Sequence, residues 1–499
     1  LALCQYAPVS AFTRALGATV ALALLPAAPA LAGTPIDDPT PPPVPQFSGA
    51  AAVARPIAPT IAPNNPFMAR NPASNLHNDP WMTDAYPDRS GPLGANLQAT
   101  SGAMPLGLCG SLTFDSHGRI VSVCPSFVNP VTARVIDPET FDVLATYEMP
   151  GGPNQPGPGA YQNFTGGGYF FLDRRDRIWS ASKTSHLLVL AQREGGRKLV
   201  KVADYDLTSV LRPDERVTSA LPDFHGRVWF VSKQGGVVAV LDPRTRRIRA
   251  VRLGEEIENS FAIGRDGAYI VSDKRMYRFG LRKGRPHVVW SVAYANSGIV
   301  KPSQLDAGSG TTPTIMPGGY VAITDNADPM NLVVYRTAAK LRRGVSRTVC
   351  EVPVFGPGAS ATENSIISAG RALFVENNYG YQDPFGDTAG ALTTPGFARV
   401  DVRADGSGCD LVWTNTDVRA PTVVPKLSDR TGLIYSYEQS APNTWFWVAI
   451  DAQTGETKWR QYAGSGLGFN NNYAGIALAA DGSAYLGVIG GLVRLRDGE

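Results

Sequence analysis

Ser111-Leu112-Thr113-Phe114-Asp115-Ser116-His117-Gly118-Arg119-Ile120-Val121-Ser122-Val123 is one half of a unit that recurs along the chain. A short apolar run, a turn built on Asp and Gly, and a second run rich in β-branched residues spell a β-hairpin. Tyr169-Phe170-Phe171-Leu172-Asp173-Arg174-Arg175-Asp176-Arg177-Ile178-Trp179-Ser180-Ala181 repeats it. So do the stretch from Ser219 to Val231, turning at Asp223-Phe224-His225-Gly226, and the stretch from Ser260 to Val271. Further copies start near Thr312, Asn364, Thr422 and Tyr473. The turn residues Gly118, Asp176, Gly226, Gly267, Gly319, Gly370, Gly432 and Gly482 are spaced on average about 52 residues apart, the scale of a propeller blade. Eight units predict an all-β, eight-bladed β-propeller over 101–499, with seven blades and a stray hairpin as the alternative count. The last unit has room for three strands, so closing the ring calls for a fourth from the N-terminal side, near Ala99 to Leu106 or in the arm before it.

A second type of turn punctuates the outer strands, in Val135-Ile136-Asp137-Pro138-Glu139-Thr140-Phe141, in Val240-Leu241-Asp242-Pro243-Arg244-Thr245-Arg246 and in the stretch from Ala449 to Trp459. In the last of these, Asp451, Thr454, Gly455 and Trp459 fall on the pattern Ala-x-Asp-x-x-Thr-Gly-x-x-x-Trp. This resembles the tryptophan-docking repeat of the quinoprotein (PQQ-repeat) propellers, and the resemblance implies the propeller fold. Pyrroloquinoline quinone itself is not expected. The other blades keep fragments of the pattern, the exported chain has no adjacent Cys pair, and no quinone sandwich of Trp residues can be assigned.

Composition narrows the partners. Lys plus Arg at 46 against Asp plus Glu at 43 gives a net charge of +3, too small for a surface that tracks nucleic-acid phosphates. Arg14, the apolar stretch from Ala15 to Leu25 and the small residues Ala30-Leu31-Ala32-Gly33 read as an export signal over 1–32. The apolar stretch is shorter than the roughly 20 residues of a spanning helix, so no integral membrane segment is expected after cleavage. The expected location is secreted or bound to the cell envelope. Residues 33–100, with Pro39-Thr40-Pro41-Pro42-Pro43-Val44-Pro45 near their start, read as a Pro- and Ala-rich arm or linker, a solvated spacer. Of the 5 Cys, Cys4 leaves with the signal. Cys109 and Cys124 flank the first hairpin symmetrically and are expected to pair, which leaves Cys350 to Cys409.

In a blade whose first two strands are antiparallel, the loop entering the first and the loop leaving the second share one face of the ring. The turns between them lie on the other. His117 and His225 sit in those turns, and with 5 His in the chain a histidine metal cluster or a Ser-His-Asp triad has little support. The opposite mouth collects amides and carboxylates. Glu258, Asn259, Glu363, Asn364 and Asn471 stand at the starts of inner strands, with Asp325, Asn326, Glu376 and Asn377 at the ends of second strands. Such hard oxygen donors suit Ca²⁺. The set resembles the calcium-centred sites of the propeller lactonases and gluconolactonases. That resemblance implies a hydrolase of small esters or lactones, with Glu258, Asn259, Asn326, Asn364, Asn377 and Asn471 as metal ligands. Glu376, Glu363 or Asp325 would activate water. The competing readings are strand-end capping in a noncatalytic ligand- or protein-binding propeller of the envelope, and a quinone-dependent oxidoreductase. A lyase acting on acidic sugars would draw on Lys183, Lys233 or Lys426. The long connection after Asn378, carrying Tyr379, Tyr381 and Phe385, leaves on the same mouth as a lid or binding loop.

Overall fold

The computed structural model describes residues 33–38, 43–104, 107–126, 130–152, 168–386, 390 and 392–498. The export signal predicted over 1–32 lies outside them. Eight antiparallel sheets follow one another along the chain as the blades of a β-propeller. Blade 1 runs through Ser111–Phe114, Ile120–Cys124, Thr132–Ile136 and Val143–Glu148, and blade 6 through Ile367–Ala369, Ala372–Glu376, Phe397–Val402 and Cys409–Asn415. The first two strands of a blade are packed on both faces by its neighbours, so Ile120–Cys124 and Val228–Ser232 are buried at every position. Outermost strands meet solvent and alternate or lose the apolar pattern, as in Arg247–Arg252 of blade 3.

The repeated Asp of the first turn is a backbone cap. Asp173 Oδ1 accepts the N–H groups of Arg175 and Arg177, while its Oδ2 accepts Trp179 Nε1 at 3.0 Å. Asp223 does the same with His225, Arg227 and Trp229. The Asp-x-x-x-Arg-x-Trp spacing is therefore a hairpin lock. Neighbouring blades are fastened by tryptophan. Trp413 of blade 6 donates from Nε1 to Ala452 O, and a Cβ on Gly455 (φ +79°) would stand 2.7 Å from its ring. Gly at the turn lets the indole seat.

Blade 8 holds Ala477–Leu478, Ala484–Val488 and Gly491–Arg496, and its fourth strand is Gln98–Ala103, paired from Gln98↔Arg496 to Ala103↔Gly491. The ring is thus closed from the N-terminal side. Phe47–Gly49 adds a strand to the outer edge of blade 7, and Ala85–Tyr86 pairs parallel with its innermost strand, Lys426–Ser428.

The stretch between these strands is not a solvated spacer. Ser74 to Tyr86 lines the inner wall, offering carbonyls to the N–H groups of the innermost strands. Ser74 O accepts from Leu172, Pro80 O from Ile263, Trp81 O from Ile315, Thr83 O from Ser368, Asp84 O from Leu427 and Tyr86 O from Asp429. Five blades are touched in turn. Eight sheets meeting at an axis present inner edges with unpaired backbone groups, and this segment satisfies them. Proline suits such a strap, since it accepts without needing a partner for an N–H.

Both predicted disulfides are present. Cys109–Cys124 spans the first hairpin, and Cys350–Cys409 links the outermost strands of blades 5 and 6. The loop-entropy relation gives about 3 kcal/mol for a loop of 15 residues and about 4 kcal/mol for one of 59. Replacing Cys350 and Cys409 by Ser is therefore expected to cost about 4 kcal/mol in urea denaturation, and the Cys109/Cys124 pair about 3 kcal/mol. The bonds suit an oxidising compartment. No helix among the described residues is long and apolar enough to cross a membrane.

Candidate functional site

The starts of the innermost strands surround a cavity at one mouth of the channel, with the N-terminal strap as its floor. It is narrow, leaving about 40 Å³ for the centre of a water-sized molecule. Leu108, Val123, Leu305 and Val424 give it apolar walls, and Tyr169, Glu258, Asn259, Glu363 and Asn364 supply the polar groups. An apolar pocket with a few convergent polar groups is the usual form of a small-molecule site.

Glu363 is buried at the rim of blade 6, where Oε1 accepts Leu305 N–H at 3.1 Å and Oε2 has no partner among the described residues. Burial, reinforced by the Asp306 and Glu258 carboxylates, holds its pKa well above the usual carboxylate range. Burial pushes Asp306 up to about 7, with Glu258 adding to the effect. Glu258 is ion-paired with Lys233. Tyr169 donates its hydroxyl to Asn259 Oδ1 at 3.2 Å, while Asn259 Nδ2 is buried with no partner among the described residues. Glu363, Asn259 and the ion-paired Glu258 therefore converge on one space.

Of the residues that sequence reading assigned to the mouth, Glu258, Asn259, Glu363 and Asn364 line the cavity, and the others do not. Glu376 lies behind Asn364, and its Oε1 accepts from Asn364 Nδ2 and from Asn378 Nδ2 at 2.9 Å. Asp325 braces its own loop by accepting Asn331 N–H at 2.7 Å and Ala327 N–H at 3.1 Å. Asn326 donates to Asn296 Oδ1 and Ile299 O, and Asn377 to Ala359 O. Asn471 is fully buried with neither side-chain polar atom partnered among the described residues. Tyr381 of the long connection is buried, with its hydroxyl donating to Asn472 Oδ1 and its ring edge-on to Tyr473, whereas Phe385 is exposed.

These placements bear on calcium. Among the described residues no three Asp, Glu, His or Cys side chains form a group that could hold a metal ion, and Lys233 already neutralises Glu258. A Ca²⁺ site draws six to eight oxygens at about 2.3–2.6 Å from amides, carbonyls and water as well as carboxylates, so the calcium reading is decided by chelation.

Glu376 makes a pH test. Burial raises its pKa to about 8 despite the hydrogen bonds from Asn378 and Asn364. The unfolded carboxyl ionises near ~4, so between that pH and about 8 the unfolded chain has lost a proton that the folded chain retains. Stability contributed by this group is full below ~4 and falls as pH rises to about 8, by at most about 1.4 kcal/mol per pH unit. Glu376→Gln is expected to flatten that decline in urea midpoints measured from pH 5 to pH 8.

Sequence reading missed His77, which the strap carries to the cavity floor. Its Nδ1 lies 3.0 and 3.1 Å from the two carboxylate oxygens of Asp84, and its ring stacks on Tyr169 with centroids 6.1 Å apart. Asp84 is also ion-paired with Lys426, whose Nζ donates to Leu76 O at 2.5 Å, and both charged side chains are fully buried. One available signal was the change of composition at Ser74, where Pro and Ala give way to Asn75-Leu76-His77-Asn78-Asp79-Pro80-Trp81.

The fold has known counterparts. No family model matches the chain. An uncharacterised protein of Archaeoglobus fulgidus is 25% identical over 469 residues, which cover 86% of this chain and 90% of that protein. Among solved structures, a quinohemoprotein alcohol dehydrogenase of Pseudomonas putida HK5 superposes with a TM-score of 0.55 at 10% identity, over 88% of this chain and 82% of the other. A streptogramin B lyase covers 80% of this chain and 98% of its own, with a TM-score of 0.40 at 11% identity. At that identity the likeness to the dehydrogenase shows the β-propeller fold alone.

Proposed function

We propose that this propeller binds a small, uncharged, oxygen-bearing organic molecule at its axial mouth, as an exported or envelope-bound protein. The observation that carries this reading is the pairing of unpartnered polar atoms with one cavity: Glu363 Oε2 and Asn259 Nδ2 are both buried and unpaired among the described residues, and both residues line it. An orphaned buried polar group costs about 1–3 kcal/mol, so a ligand oxygen that satisfies both recovers that cost. The Lys233–Glu258 pair cancels its own charge and burial favours the protonated form of Glu363, so an uncharged ligand loses least on entry.

δ-Valerolactam, an uncharged cyclic amide with one strong acceptor, is a suitable probe in ligand-observed saturation-transfer NMR. The expected result is a signal that Glu363→Leu and Asn259→Ala each weaken, that surface Arg403→Ala leaves intact, and that neither added Ca²⁺ nor a chelator changes. A calcium-dependent hydrolase of small esters or lactones predicts the opposite for the chelator. Loss of binding on chelation would restore that reading, and no binding to the unmodified chain would remove the present one.

A further inference from the structure

His77 is held with unusual care for a residue in a Pro- and Ala-rich arm. Its backbone N–H donates to Asn75 Oδ1 at 2.7 Å, and its Nδ1 is gripped by a carboxylate that Lys426 fixes in turn. Three nearby residues with side chains adopt left-handed backbone, Asn78 at φ 76°, Met82 at 59° and Asp84 at 54°. Such strain persists only where the surroundings over-determine it, and it collects at functional sites. The Asp84 carboxylate can only accept, so Nδ1–H donates to it, and in the neutral ring the lone pair is then on Nε2. That Nε2 is buried without a partner among the described residues, in a side chain that lines the cavity. Lys426 and His77 outweigh burial and keep Asp84 below its ordinary pKa, so the orienting group is a carboxylate.

We propose that His77 is a general base, oriented by Asp84, that activates water against a small uncharged ester or lactone bound at the axial mouth. This rests on the ligand reading above and adds a reaction to it. Nε2 takes a proton from water as the water oxygen bonds to the acyl carbon, and the carbonyl π pair moves onto its oxygen. The Glu363 O–H and Asn259 Nδ2–H donate hydrogen bonds to that oxyanion without transferring a proton. The pair then returns to reform C=O, the acyl C–O bond breaks, and the departing alkoxide takes the proton back from Nε2. Acid and alcohol leave, and the enzyme is unchanged. Asp84 is a positioning residue, since it acts through His77.

The test uses the purified full chain with dihydrocoumarin and p-nitrophenyl acetate, corrected for buffer hydrolysis. His77→Gln is expected to lower kcat/KM by 100-fold or more while δ-valerolactam still binds. Asp84→Asn is expected to lower kcat with little change in KM and to displace the acidic limb of the pH–rate profile. Glu363→Leu should raise KM and lower kcat together. Absence of hydrolysis above background by a chain that binds the lactam overturns this inference and leaves the binding reading standing. Full activity in His77→Gln also overturns it. Should that variant fail to fold, the unmodified chain decides: a rate that follows hydroxide concentration, with no acidic limb from a single ionisation, overturns the proposal.

Discussion

Lys426→Met is expected to destabilise the propeller by about 3–5 kcal/mol, read as a shift of the urea midpoint at constant slope. Lys426 and Asp84 have fully buried side chains, and the ammonium reaches both the Asp84 carboxylate and Leu76 O. Removing the cation leaves a carboxylate in the channel with the His77 ring as its remaining side-chain partner. The penalty comes from that stranded charge rather than from a lost net attraction, because a buried pair and two apolar side chains of similar volume are often close in stability. The double variant Lys426→Met with Asp84→Leu should therefore lose less than Lys426→Met alone. Two losses that simply add would show that the two charges act independently.

This ion pair also shows where sequence reading stops. The blades were legible because each hairpin carries its own evidence: Asp173 and Trp179, six residues apart, meet by local geometry alone. Ring closure was legible by subtraction, since three strands after Tyr473 require a fourth, and Gln98–Ala103 overlaps the stretch expected to supply it. The strap was not legible. Its partners are inner edges at Leu172, Ile263, Ile315, Ser368 and Leu427, spread over half the chain, and its contribution is mostly backbone carbonyls, which leave no mark on composition. The mouth was legible to the nearest strand end and no further. Glu363 and Glu376 both stand where sequence placed them, yet one faces the cavity and the other supports Asn364 from behind. Lys426 could be assigned to an inner strand, but its counter-ion 342 residues away could not.

A chain that starts at Gly107 is expected to lose cooperative unfolding altogether, whereas one that starts at Phe47 keeps it. The shorter truncation removes Asp38, which accepts hydrogen bonds from Tyr462 and Ser465 at the edge of blade 7, and leaves every blade with its strands. The longer one removes three things at once. Blade 8 loses Gln98–Ala103, exposing the edge of Gly491–Arg496 and opening the ring. The inner strands of blades 2, 4, 5, 6 and 7 lose the carbonyls that satisfy their N–H groups. Lys426 is left as a buried cation without Asp84. Each loss costs several kcal/mol by the usual measures, against a total stability of about 5–15 kcal/mol for a folded domain. Circular dichroism melting and size-exclusion chromatography would read the result. A sharp, monomeric transition in the chain from Gly107 would mean that the eight blades close without the strap, and that the strap's place in the channel concerns His77 and the mouth rather than the fold.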